Sequence, residues 1–170
     1  MIEEEIISSV FSEEMFEEVK FLEPKDFENP VNQTLWRFIS EFQGDTVAMI
    51  ARMSHAERVR YTNACQRACL GVACYKVAQI GLKLIELKFE RLFIQLIEDL
   101  ISRSENKVEK LLLTDLINAV TSEDIFEISE HAKDYIGNHA STYTKTRFDD
   151  FLKYRQKRIE KIKKLKNGDS

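Results

Sequence analysis

Five glycines and two prolines are all that 170 residues offer for breaking or reversing the backbone. Hairpins depend on Gly, Asn and Asp at tight turns, so a chain this short of them cannot fold back every few residues. Apolar residues recur at three- and four-residue steps, and no strand-length run joins strict alternation to β-branched side chains. The expected fold class is therefore all-α: a small helical bundle followed by long helices forming a hairpin-like extension. Apolar residues make up 44% of the chain, enough to build a core. The length suits one domain, with residues 1–53 as the bundle segment and 54–170 as the long-helix extension packing on it.

The N-terminal forty residues read as three short amphipathic helices. Ile6, Ile7, Val10 and Phe11 make one apolar face. Ser12 before Glu13 and Glu14 reads as a helix start, a capping hydroxyl followed by acids that complement the helix dipole. Met15, Phe16 and Val19 are expected inside. Pro24 suits the first turn of a short helix, and Asn29-Pro30 separates it from the next, which turns Leu35, Trp36, Phe38, Ile39 and Phe42 inward and ends at Gly44. Ile7, Phe11, Phe16, Phe27, Leu35, Trp36 and Ile39 are expected to share one core.

Asp45 caps a short helix through Ala48, Met49 and Ile50, and Ser54 with Glu57 forms a capping box. The Ala-, Cys- and Gly-rich stretch 62–78 permits close helix approach, and Gly71 and Gly81 mark a kink or a close contact. Over 82–101 the apolar stripe is wider than a surface helix needs. A further helix carries Val108, Leu111, Leu112, Asp115, Leu116 and Val120. Thr121–Asp124 restarts the chain ahead of Ile125, Phe126, Ile128, Ala132 and Tyr135. Gly137-Asn138 signals a helix end. The last helix runs over 141–166, with Phe148, Phe151, Leu152, Arg155, Ile159, Ile162 and Leu165 along its stripe.

The residue types that carry chemistry are sparse. Neither GxxxxGK[ST] nor GxGxxG occurs, so no backbone loop is built to wrap phosphates. His55, His131 and His139 stand far apart. Cys65, Cys69 and Cys74 are an odd, clustered set without local His or Asp, which reads as small core residues in a reducing, cytoplasmic setting. Acid pairs such as Glu13/Glu17 read as solvated helix faces. No catalytic, cofactor or metal residue is assigned, and the expectation is no cofactor and no enzyme. MIEEEII has no basic n-region, and no run of about 18 apolar residues occurs, so neither a signal peptide nor a membrane span is expected.

Charge is distributed unevenly. Residues 1–30 hold ten acids and two lysines, whereas residues 145–166 hold ten Lys or Arg against three acids. Such opposed ends suit head-to-tail association or two distinct partner surfaces. Phe89, Phe93, Phe148, Phe151, Ile159 and Ile162 are the candidate partner-binding residues. Lys153, Lys157, Arg158, Lys161 and Lys164 are the candidate nucleic-acid contacts, with Tyr143, Phe148, Phe151 and Tyr154 as stacking groups for single strands. Pairing with a partner helix, contact with nucleic acid and a plain solvated face all remain open for this basic helix.

Residues 3–42 resemble the N-terminal domain of bacterial replicative DNA helicases, the DnaB family. The opening helix matches at Glu3, Ile6 and Ile7, with Ser8 where the family has Gly. Leu22 and Asp26-Phe27 match a Leu-x-x-x-(Asp/Glu)-Phe segment. Pro30, Leu35 and Trp36 match the following loop and apolar-aromatic pair, with Asn32 where the family has His. The resemblance implies a non-enzymatic helical scaffold of DNA replication that self-associates, as a homo-oligomer, and binds a replicative helicase or primase. The helicase-binding domain of bacterial primase has a similar fold and is the alternative ancestry. A stand-alone helical regulator binding nucleic acid through the basic last helix is the alternative of another class.

Overall fold

A computed structural model describes residues 2–68, 77–120 and 125–167. The described residues form nine α-helices and no strand. They are α1 (Ile2–Ser9), α2 (Glu13–Val19), α3 (Pro30–Glu41), α4 (Thr46–Arg52), α5 (His55–Arg67), α6 (Val77–Arg103), α7 (Lys107–Val120), α8 (Ile125–Ile136) and α9 (Thr142–Lys166), with single 3-10 turns at Pro24–Asp26 and Gly137–His139. The all-α reading holds. Cys69, Gly71, Cys74 and the restart at Thr121–Asp124 lie outside the described residues.

Local signals set most helix starts. The Ser12 and Asp45 side chains accept the N–H groups of Met15 and Ala48, and Ser54 and Glu57 close their box reciprocally. Asn29 caps α3, so Asn29-Pro30 opens that helix with Pro at its first position. Gln43 and Gly44 both take positive φ and end α3, with the Gly44 N–H returning to the Ile39 carbonyl. A Cβ at Gly44 would collide with the Ser12 carbonyl, so this glycine also brings the start of α4 against the start of α2. At Gly81, α6 runs on without a break, and a Cβ there would stand 3.1 Å from the Phe21 and Val19 side chains, so the glycine lets them pack close.

The chain divides into two compact units, and the division falls between Lys88 and Phe89, inside α6, rather than near residue 53. The first unit takes the described residues up to Lys88 with the last few of α9; the second runs from Phe89 to Lys163. In the first, α1 packs on α3 and α5, and Trp36 is buried at the centre with Phe27 5.3 Å away between ring centroids. Ile7, Phe27, Leu35, Trp36 and Ile39 are buried as expected, and Phe16 is half-buried. Phe11 is not: α1 stops at Ser9, helical spacing no longer applies, and the ring is exposed. In the second unit α7 packs on α8. Tyr135, expected inside, is exposed and donates its hydroxyl to Asp115 at 3.2 Å.

Candidate functional site

The aromatic residues expected to form a partner face belong to the second unit's core. Phe89, Phe93, Phe148, Phe151 and Ile162 are buried, and Ile159 is half-buried. The Phe93 ring lies 5.3 Å from Phe151 and 6.0 Å from Phe148, and Phe89 meets Phe151 edge-on at 6.4 Å. These rings fill the space between α6 and α9 and offer no surface to a partner. Phe148 and Phe151 are lost as stacking groups for the same reason. Arg158 is also buried, which removes it from the nucleic-acid set. Lys153, Lys157, Lys161 and Lys164 are exposed.

Exposed apolar surface lies instead on the first unit. Phe11 is 61% exposed and Val47 83%, and Ile50 follows one turn after Val47 on the outside of α4. The Gly44–Ser12 approach joins the two stretches, because Phe11 precedes Ser12 and Val47 sits in the first turn after Gly44. Helix α4 is apolar on nearly every side, Val-Ala-Met-Ile-Ala, yet only Met49 is buried within it. That excess over one buried face is the sequence signal for this patch. Ile50, on the short helix that Asp45 caps, is 37% exposed.

The residues that carry the family resemblance converge in the same unit. The Glu3 carboxylate accepts the N–H groups of Glu28 and Asn29 at 2.7 and 3.2 Å, and the Asn32 Nδ2 amide at 3.0 Å. It thereby ties α1 to the start of α3. The Trp36 indole donates to the Leu22 carbonyl at 3.0 Å. Asp26 is fully buried; one of its oxygens accepts the Glu23 N–H at 2.7 Å and the other meets the Lys88 ammonium at 2.8 Å. Nothing in local spacing announces Lys88, which stands 62 residues away in sequence.

Ionisable groups with displaced pKa values occupy two other places. Burial pushes the Tyr61 phenol up, and its hydroxyl bonds the side chains of Cys65 and Thr46. Burial likewise raises the Cys65 thiol, which disfavours the reactive thiolate. In the second unit, the Arg103 hydrogen bond holds the Asp99 carboxyl below its usual range, and Arg147 adds to this at 3.1 Å. Both guanidinium groups lie 5.7 Å from the Tyr143 ring centroid.

This cluster edges a cleft of about 630 Å³ lined by Arg103, Asn106, Glu109, Ser141, Tyr143 and Thr144 among others. Its polar groups serve helix starts. Asn106 caps α7, and the buried Glu109 carboxylate accepts the Ser141 N–H at 2.6 Å and the Thr144 hydroxyl at 3.1 Å at the start of α9. Among the described residues no group of three or more His, Cys, Asp or Glu is placed to hold a metal ion, and no helix is long and apolar enough to cross a membrane. Compared with protein families, with curated proteins and with solved structures, the chain matches none of them.

Proposed function

We propose that the chain is a non-enzymatic helical scaffold of DNA replication, similar in design to the helicase N-terminal domain, which docks a replicative helicase or primase and associates with copies of itself. The observation that carries this reading is the exposure of Phe11, Val47 and Ile50 on two stretches that the Gly44–Ser12 approach joins. It sits on the unit whose packing is made by the residues of the resemblance: Glu3 with Asn32, Leu22 with Trp36, and Asp26 beneath them. Isolated exposed hydrophobics are ordinary, but an exposed Phe, Val and Ile on two joined stretches are the composition of a docking site. Glu13 and Glu14 open α2 within three residues of Phe11, which suits a basic partner surface and a salt-sensitive on-rate.

Sedimentation of the chain alone, and titration against purified replicative helicase and purified primase, test the proposal. The double variant Phe11→Asp/Val47→Asp should weaken association by roughly tenfold or more, the scale of a lost interface anchor. A wild-type chain that stays monomeric and binds neither protein would rule the reading out. So would association that the double variant leaves unchanged.

A further inference from the structure

The last helix carries a feature that the docking reading does not use. Thr144, Phe148, Phe151, Arg155, Arg158 and Ile162 are the buried line of α9, at alternating steps of four and three. Lys153, Lys157, Lys161 and Lys164 follow steps of four, four and three on another line. Lys153 falls midway between Phe151 and Arg155, directly opposite the buried line, and Lys157, Lys161 and Lys164 lie about 100–160° from it at 3.6 residues per turn. All four lysines are exposed, and the stripe is about 16 Å long at 1.5 Å rise per residue. Glu160 stands within the stripe, three residues after Lys157 and four before Lys164, and accepts the Gln156 amide at 3.1 Å; Asp150 lies beyond its N-terminal end.

We propose that this stripe binds the phosphate backbone of double-stranded nucleic acid. A second helix packing on α9 would need an apolar seam, and the aliphatic and Phe side chains of α9 are buried or half-buried along the opposite line. A single strand would need aromatic platforms, and two of the four candidates, Phe148 and Phe151, are likewise buried. Four ammonium groups along one helix, with no base-reading fork among them, match a ligand met through its phosphates. A duplex is met in this way, because its outer surface is two rows of phosphates and its base faces are stacked inside. The charge on the rest of the chain is net negative, which confines binding to this face and makes it strongly salt-dependent. The inference stands apart from the docking proposal, since it uses neither the Phe11 patch nor the resemblance.

The test is fluorescence anisotropy of the full chain against a labelled 20-base-pair duplex, with three companions: the single strand of equal length, a polyglutamate peptide, and duplex titrated with Lys157→Gln/Lys161→Gln protein. Neutralising about four phosphates gives a log-log salt slope near −3.6, or roughly a hundredfold loss of affinity between 50 and 200 mM salt. The double variant should lower that slope by about two, while Lys83→Gln/Lys110→Gln should leave it alone. No duplex binding at 50 mM salt would overturn the proposal, as would a slope untouched by the double variant. Polyglutamate binding as tight as duplex would assign the stripe to an acidic protein instead, and a preference for the single strand would also refute the duplex assignment.

Discussion

The Asp26–Lys88 pair makes the sharpest claim about what holds the first unit together. The ammonium and carboxylate are 2.8 Å apart, with side-chain exposures of 5% for Lys88 and 0% for Asp26. The surface pair Lys20–Glu17 has the same spacing, 2.7 Å, but exposures of 35% and 62%. Distance therefore cannot separate the two, and burial must. An exposed pair is worth about 0–1 kcal/mol, because water and salt screen it. Unpairing a buried one strands a charge away from water and costs about 3–5 kcal/mol. Lys88→Met keeps most of the side-chain volume and removes only the charge. It leaves Asp26 with the Glu23 N–H among its donors but without the cation, and should fall in the higher range. Lys20→Met should cost less than about 1 kcal/mol.

The double variant Asp26→Leu/Lys88→Met separates pairing from packing. With both charges gone, the loss that remains includes the capping contact to Glu23, about 1 kcal/mol, and no stranded charge, so the two single losses should be far from additive. Urea unfolding followed by fluorescence reports on this unit directly, because the chain has one tryptophan and Trp36 lies in its core. A Lys88→Met loss no larger than that of Lys20→Met would refute the reasoning. Additive single and double losses would refute it equally.

Three further outcomes follow from the same geometry. Trp36→Ala, at a fully buried site whose indole bonds Leu22, should cost about 3–5 kcal/mol by denaturation followed with circular dichroism; a loss under 1 kcal/mol would mean that the site is not packed as described. Arg155 is buried over the Phe126 ring and donates to the Phe126 carbonyl, Ser129 and Glu130, so Arg155→Lys should destabilise the second unit by about 2 kcal/mol, while Glu130→Gln, at the exposed end of that bond, should cost under 1 kcal/mol. Tyr61 and Cys65 both keep their protons more tightly folded than unfolded, so the stability they contribute is full below pH 9.0 and is lost as pH rises past the ordinary thiol and then phenol values, 9.0 and 10.0; urea midpoints between pH 7.5 and 10.5 should fall, less steeply in Cys65→Ser, and a flat profile would contradict this.

Local chemistry was legible in the sequence and long-range charge was not. The caps at Ser12, Asp45 and Ser54, the helix end at Gly44 and the turn at Gly137 each rest on residues within a few positions of one another, and each is where spacing put it. Trp36 and its aliphatic neighbours were readable because a large apolar side chain on a helical stripe has few alternatives to burial. Phe11 misled because apolar spacing was carried past the real end of α1. Glu109 was invisible as an interior group because charge reads as surface in any sequence, and its partner is 32 residues away; Arg155 falls on the helical stripe, but its partner Ser129, 26 residues away, could not be read from spacing. Asn32, which departs from the family pattern, is nevertheless held by Glu3, 29 residues before it.

The breadth of the apolar stripe on α6 has a different explanation from spare surface, and it yields a last prediction. The buried residues of its first half are Val77, Gly81, Leu84, Ile85 and Lys88; those of the second are Phe89, Phe93, Leu96, Ile97 and Leu100. Each set has steps of four, three, one and three, an ordinary narrow stripe. The second repeats the first twelve residues later, which is not a whole number of turns, so the two run out of phase and together look wide. One set is used by each unit, and neither is left over for a partner. A charge introduced at Phe151, against Phe89 and Phe93, must then enter a core rather than an interface. Phe151→Glu should cost several kcal/mol and abolish cooperative unfolding of the second unit. Phe11→Glu, at an exposed site, should change stability by less than about 0.5 kcal/mol while weakening association. Thermal unfolding by circular dichroism beside sedimentation separates the two effects. A well-folded Phe151→Glu protein with weakened association would return the partner surface to the aromatic face of α6 and α9.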